Sequence, residues 1–361
     1  MLAGGYATRL RPISYGVPKL LFPVLGKPMI YWTLDLLKTI GVEEVVLGVN
    51  YMAETLAAQV GSRYAGMSLK YSLEEEALGT AGPIKLASTK TDLDETFIAM
   101  NGDVIAEINL SEMLKHHRAT GALITDALHE VKKPSRFGVV ELDSDNRIRR
   151  FVEKPKPREA PSHLVNAGIY LIEPDVLKLI APGRKISLER EIFPRIAEVG
   201  KLRGFPFSGH WFDIGSLTDY RYANYAMLRD STQAFEMTGG NLNVAKDALI
   251  RKPILLGEKS VIEGQASVGP KVLLGKENSI GRGAKISDSI LFDKVKVGEG
   301  AVVSGAILAT GVRLGKRVRI GRGCLISPGV TISDGVKVGA GAIIHPYKDI
   351  DANVRATAHV M

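Results

Sequence analysis

From residue 1 to about residue 235, short runs of aliphatic and β-branched residues alternate with stretches whose apolar positions recur every three to four residues. That alternation predicts an α/β domain built on a mainly parallel sheet. Glu44–Val49 reads as a buried strand, preceded by a helix over residues 30–40 that Gly41 stops. Thr96–Met100 reads as the next buried strand and runs directly into Asn101-Gly102-Asp103. Residues 122–125 and 138–142 are further strands, and Asp143-Ser144-Asp145-Asn146 supplies a turn.

After about residue 245 the period changes to six. Apolar residues fall at Val268, Leu274, Ile280 and Ile286, then at Leu291, Val297 and Val303. A third run continues from Leu308 through Leu314, Ile320, Ile326, Ile332 and Val338 to Ile344, with one residue lost between runs. Glycine often follows the apolar position, as at Gly269, Gly281, Gly298 and Gly321. Ordinary antiparallel strands alternate with period two, so hexapeptide periodicity predicts a β-helix in which every sixth side chain fills the interior. The expected domains are 1–240 and 241–361. Cys324, two residues before the inward Ile326, is expected to be a packed apolar residue rather than a reactive thiol.

Composition narrows the class. The 361 residues suffice for two cores, and no run approaches the roughly 18 apolar residues of a membrane span. A single cysteine excludes an internal disulfide and a Cys-rich zinc site. With no basic region leading an apolar stretch at the start, the expectation is a cytoplasmic protein. The net charge of +8 is carried by the repeats: residues 1–240 hold 29 basic and 29 acidic side chains, and residues 241–361 hold 18 and 10. Those basic residues stand singly without interleaved aromatics, so neither a nucleic-acid nor a membrane partner is expected. No serine- or cysteine-centred triad can be assembled. His116 and His117 are expected on a helix surface, and His345 and His359 have no supporting cluster for acyl transfer.

A short glycine pair near the start is by itself a weak signal for phosphate contact. Gly4-Gly5 lets backbone amides approach phosphate oxygens with no side chain in the way. Asn101-Gly102-Asp103 closes a strand at the end where open α/β sheets bind ligands. Around these stand Leu2-Ala3-Gly4-Gly5-Tyr6-Ala7-Thr8-Arg9-Leu10-Arg11-Pro12, then Pro18-Lys19, Glu76-Ala77-Leu78-Gly79-Thr80-Ala81-Gly82, Val152-Glu153-Lys154-Pro155, Asn166-Ala167-Gly168, and Trp211-Phe212-Asp213-Ile214-Gly215. In these motifs and their order the chain resembles the nucleotidyltransferase family that includes mannose-1-phosphate guanylyltransferases and glucose-1-phosphate thymidylyl- or uridylyltransferases. The resemblance covers nearly the whole chain.

The resemblance implies a Rossmann-like mixed, mainly parallel sheet followed by a left-handed parallel β-helix. It implies Mg2+-dependent attack by a sugar 1-phosphate oxygen on the α-phosphorus of a nucleoside triphosphate, releasing pyrophosphate. The nucleophile is already anionic, since a second phosphate pKa is about 6, so no general base is needed. By the same resemblance Arg9 holds the leaving pyrophosphate, Lys19 the α-phosphate and Lys154 the sugar phosphate, while Asp103 and Asp213 hold the metal. Leu2, Ala3, Gly4, Gly5, Thr8, Glu76, Gly79, Thr80 and Gly102 would contact the nucleotide, with Glu76 reading a guanine edge. Gly138, Glu153 and Asn166 would complete the sugar pocket. Residues 76–82, 134–140 and 187–194 favour GTP and mannose 1-phosphate, with UTP or dTTP and glucose 1-phosphate as the alternative. A non-catalytic regulatory subunit need not keep Arg9, Lys19, Asp103, Lys154 and Asp213. A homo-oligomer through the β-helix is expected.

Two departures stand out. The family has glycine where Ala7 stands, so Ala7 is expected to take a backbone conformation that glycine finds easy. The family also has an apolar strand before the loop where this chain has only Met1, so the start is expected to lie inside that strand.

Overall fold

The computed structural model describes residues 1–5, 7–230, 237–238 and 241–361. Tyr6 of the N-terminal loop and residue 240 at the expected domain boundary lie outside the described residues. The chain forms two compact units, Met1–Tyr6 with Pro18–Leu21 and Met29–Ile214, and Ala7–Val17 with Phe22–Pro28 and Gly215–Met361.

In the first unit, β1 (Glu44–Val49) pairs in parallel with β2 (Met67–Leu73). The larger sheet contains β3 (Phe97–Met100), β5 (Ile124–Glu130), β6 (Gly138–Leu142), β7 (Ile148–Glu153), β8 (Leu164–Ile172) and β9 (Leu202–Phe207). Its order is β7-β6-β8-β5-β9, with β3 on β8. A separate antiparallel pair joins β4 (Val104–Ala106) to β10 (Trp211–Asp213). The sheet is mixed, as expected, but antiparallel pairings outnumber parallel ones among the described residues. The cause is the 138–153 hairpin and long β8, which runs against β3, β5 and β6. Helices α1 (Met29–Lys38) and α2 (Leu110–Thr120) turn Ile30, Leu34, Leu37 and Met113 into one core with Leu47, Val49 and Ile169.

Met1–Ala3 wedges between β1 and β3. Leu2 bridges Gly48 and Asn101 in parallel, and the Met1 amine donates to the Val46 carbonyl at 2.8 Å. Burial pushes that amine down to about 5. The gap between the two strands continues beyond Met1 as a cavity of about 440 Å3 lined by Leu37, Val46, Ile84, Phe97, Ile98 and Leu171, among others.

The second unit is a parallel β-solenoid with three faces. One interior row runs Ile262, Ile280, Val297, Leu314, Ile332 and Ile350, each residue in register with the next rung. Leu274 aligns with Leu291 and then Leu308, each step one residue short of three hexapeptides, which accounts for the slips in the period. On two faces the outward positions are mostly polar or charged, as at Lys296 and Arg313, or Lys285, Arg319 and Lys337. On the third face both alternating positions are apolar, in dyads such as Leu255-Leu256, Leu273-Leu274 and Ile307-Leu308. The outward Leu255, Leu273, Ile290 and Ile307 are buried too. Elements of the same unit lie there: Phe22 and Tyr220 make edge contacts with Phe292, and Leu255 packs over Gly26. Cys324 is buried in the solenoid interior, where its thiol donates to the Gly339 carbonyl and burial pushes its pKa up.

Ala7 adopts φ 48°, the left-handed conformation expected of it, and its carbonyl accepts from the Leu10 N–H and the Ser14 hydroxyl. That conformation costs a non-glycine residue about 1–2 kcal/mol, against about 0.4–1 kcal/mol of extra unfolded-chain entropy for glycine. Ala7→Gly should therefore raise stability by about 0.5 kcal/mol in urea unfolding. A loss of stability would show that the methyl group has a packing role.

His117 departs from the surface position expected of it. It is 1% exposed, with Nδ1 against the Thr125 hydroxyl at 2.7 Å and Nε2 against Glu173 Oε1 at 2.9 Å. Thr125 on β5 and Glu173 just past β8 make its burial tolerable, and helical periodicity alone does not reveal them.

Candidate active site

Strand ends set the site. The N-terminal glycine loop follows the Leu2 bridge, and Gly5 N–H donates to Asn50 Oδ1 at 3.0 Å just past the end of β1. Gly102 N–H donates to the Leu2 carbonyl at 2.8 Å, and a Cβ on Gly102 would meet that oxygen at 3.0 Å. Leu2, Ala3, Gly4, Gly5 and Gly102 are thus brought together at the C-terminal ends of β1 and β3. Asn50 was not legible as a loop support, because the residue after a strand carries no periodic signal.

Glu76 is exposed, and Glu74 is the acid that turns inward. Glu74 is 6% exposed, its Oε1 lies 3.2 Å from where a Gly4 Cβ would stand, and its Oε2 accepts weakly from Leu78 N–H. Burial raises its pKa above the ordinary value, against the smaller lowering effect of that N–H. Sequence alone offers no choice within Glu74-Glu75-Glu76.

Lys19 pairs directly with Asp103 through Nζ and Oδ2. The Ile214 N–H donates to the Asp103 carbonyl at 3.1 Å, and Asp213 is in register with Val104. Asp213 therefore ends β10, and Asp103 immediately precedes β4, the strand paired with it. Among the described residues no group of three or more His, Cys, Asp and Glu could hold a metal. Two carboxylates with phosphate oxygens and water nevertheless form a set that a hard divalent cation accepts.

A polar cavity of about 390 Å3 opens beside them, and its lining includes Gly79, Thr80, Gly138, Glu153, Lys154, Asn166 and Asp213. Lys154 has φ 48°, donates its N–H to the Phe137 carbonyl at 3.0 Å and places Nζ 3.1 Å from Glu153 Oε1. A Cβ on Gly138 would strike Phe151 at 2.3 Å and crowd Glu153 at 3.0 Å, so only glycine leaves this wall open. The β5–β8 register shifts between Asn166 and Tyr170, which sets Asn166 at the pocket wall.

Thr8 and Arg9 lie in the second unit, exposed on the turn Thr8–Leu10. The Arg9 guanidinium covers Gly215 of that unit, where a Cβ would come within 3.1 Å of Nη2.

A glycine loop at strand ends, a lysine paired with one of two adjoining aspartates and a polar cavity define a phosphate-handling α/β protein. A model of the nucleotidyl transferase family matches residues 1–230, and a model described as the GMPPB C-terminal domain matches residues 250–360. The chain belongs to the nucleotidyl transferase family. Mannose-1-phosphate guanylyltransferase 1 of Arabidopsis thaliana is 35% identical, covering 89% of this chain and 88% of its own. Mannose-1-phosphate guanyltransferase of Candida albicans is 33% identical, covering 100% and 99%. A crystal structure of HddC from Yersinia pseudotuberculosis complexed with GMP-PN aligns with TM-score 0.53 at 26% identity, over 63% of this chain and 97% of that one.

Proposed function

We propose that the protein transfers a guanylyl group from GTP to mannose 1-phosphate, forming GDP-mannose and pyrophosphate. The observation that carries this reading is one polar cavity in which Thr80 of the nucleotide segment, Glu153-Lys154, Asn166 and Asp213 converge. Similarity over nearly full length to guanylyltransferases supports the choice of base and sugar.

The amides of Gly4 and Gly5 receive phosphate oxygens. Lys19, paired with Asp103 in the free protein, turns to the α-phosphate, and Lys154 holds the sugar phosphate. Arg9 keeps the role on pyrophosphate that the family resemblance implies. Asp103 and Asp213 would hold Mg2+, which supplies charge neutralisation of the triphosphate. The attacking oxygen is an anionic phosphate oxygen, so the protein's own work is positioning and charge stabilisation. We also assign the protein to a cytoplasmic homo-oligomer that meets its copies through the solenoid. No helix among the described residues is long and apolar enough to cross a membrane.

Glu76 keeps the guanine-reading role that the family resemblance implies, and to it we add Glu74, buried against Gly4 beside the nucleotide loop, as a second carboxylate for the guanine N1–H and exocyclic amine. Glu74→Gln should raise the GTP KM about tenfold and narrow the preference for GTP over UTP, the scale of one charged hydrogen bond. An unchanged GTP/UTP ratio would remove Glu74 from base reading.

Pyrophosphate release, measured with four triphosphates against mannose, glucose and N-acetylglucosamine 1-phosphates, tests the whole reading. The expected result is fastest, metal-dependent turnover with GTP and mannose 1-phosphate. Faster turnover with UTP or dTTP and glucose 1-phosphate would overturn the substrate pair. No turnover with any pair would overturn catalysis and favour a regulatory subunit.

A further inference from the structure

Two segments remote in sequence, 78–81 and 186–189, are joined edge to edge. Ile186 N–H donates to the Leu78 carbonyl at 3.0 Å, and Ala81 N–H donates to the Ile186 carbonyl at 2.9 Å. The approach at Gly79, φ 81°, is so close that a Cβ there would lie 2.4 Å from the Ile186 oxygen. Side chains extend the junction. Thr80 Oγ1 accepts from Leu188 N–H at 2.9 Å and donates to Glu189 Oε2 at 2.6 Å. The Ser187 hydroxyl donates to the same oxygen at 2.7 Å.

The turn bearing Glu189 is π-helical over Leu188–Ile192, a geometry frequent at functional sites. Ser187 caps it: its hydroxyl accepts from Arg190 N–H, while its own N–H donates to Glu191. Across the pocket, Tyr170 accepts from Asn166 Nδ2 at 2.8 Å and donates to Glu189 Oε1 at a long 3.4 Å. The Thr80, Ser187 and Tyr170 hydroxyl protons thus all point to one carboxylate. No cation pairs with Glu189 among the described residues. Oε2 is saturated by two short bonds, whereas Oε1 holds only the long one and lies in a residue lining the cavity. A carboxylate oxygen with spare acceptor capacity, in a pocket for a polyol, suits a hydroxyl donor.

We propose that Glu189 is a specificity-determining residue that accepts a ring hydroxyl of the sugar phosphate through Oε1, and that Thr80 is a positioning residue coupling the nucleotide segment to that acceptor. The proposal rests on the reading of the cavity as the sugar-phosphate pocket. Nucleotide held against residues 79–81 orders Thr80, and Thr80 fixes the rotamer of Glu189. By reciprocity, each substrate then tightens binding of the other.

Calorimetry on the full chain tests both parts, using mannose 1-phosphate and its 2-, 3- and 4-deoxy analogues, with and without a non-hydrolysable GTP analogue. Glu189→Gln should weaken mannose 1-phosphate binding about 10–100-fold and leave the GTP analogue within about twofold. It should also stop distinguishing the sugar from one of the deoxy analogues. Thr80→Val should abolish the roughly fivefold or greater tightening of sugar phosphate by the GTP analogue. Ser187→Ala, which removes the other short bond to Oε2, should weaken sugar binding while keeping that tightening, and melting temperatures identify any variant that fails to fold. Unchanged sugar affinity in Glu189→Gln, or an equal loss for every analogue, would overturn the hydroxyl contact. Tightening that persists in Thr80→Val would overturn the coupling. A wild-type chain that binds no sugar 1-phosphate would instead bring down the pocket reading itself.

Discussion

Replacing Asp103 with asparagine should lower pyrophosphate release about 10³-fold, a loss of about 4 kcal/mol of transition-state stabilisation. The substitution is nearly isosteric and keeps a hydrogen-bond acceptor for Lys19, so the loss would come from charge. In the free protein Lys19 neutralises Asp103, and the partly exposed pair contributes at most about 1 kcal/mol to stability. The melting temperature should therefore hardly move while turnover collapses. Lys19→Met would leave Asp103 without its partner, and the double variant should lose little more than Asp103→Asn alone, because the two groups act together. Turnover within tenfold of wild type at saturating divalent cation would remove Asp103 from the metal-binding role.

The second large effect concerns stability. Asp126 sits on β5 between Tyr170 and Gly204, is 0% exposed, and neither carboxylate oxygen has a hydrogen-bond partner among the described residues. Burial first, and the nearby Glu189 second, push its pKa well above the ordinary carboxylate value. The folded protein therefore keeps a proton that the unfolded chain loses above about pH 4. The contribution of this residue to stability is full below that pH and is lost as pH rises toward the folded value. Asp126→Asn has no proton to lose. Its advantage over wild type should grow by up to about 1.4 kcal/mol per pH unit above pH 4. Urea unfolding of both proteins at about pH 4, 6 and 8 would show the two curves diverging upward with pH. A constant difference would mean that Asp126 is ionised in the fold.

These two residues also differ in how far the sequence reveals them. Asp103 was legible because it follows an apolar strand and a glycine, and chain direction alone puts that point at the ligand end of a sheet. Asp126 was not, because it stands in a run that reads as an ordinary strand, and only neighbours from β8 and β9 bury it. Glu74 and Glu76 show the same limit at closer range. Met67 and Leu69 are buried early in β2, whereas Ser72 and Glu74 are buried and Leu73 exposed at its end, so the inward side changes within the strand, and a run of three acids carries no trace of that change.

The sequence by itself determined the solenoid and its rows, because a hexapeptide period is local and each rung repeats the same burial. It also pointed to the glycine loop at the strand ends and to Lys19, Asp103, Lys154 and Asp213 as candidates, since glycine and charge requirements are written in neighbouring residues. Tertiary structure alone decided which carboxylates turn inward, that His117 is buried beside Glu173, and that the outward row of one solenoid face is buried as well. It alone joined Thr80 to Glu189. Each of these depends on contacts between segments tens to hundreds of residues apart, where burial and hydrogen-bond satisfaction set a side chain's role and local pattern carries no record of the partner.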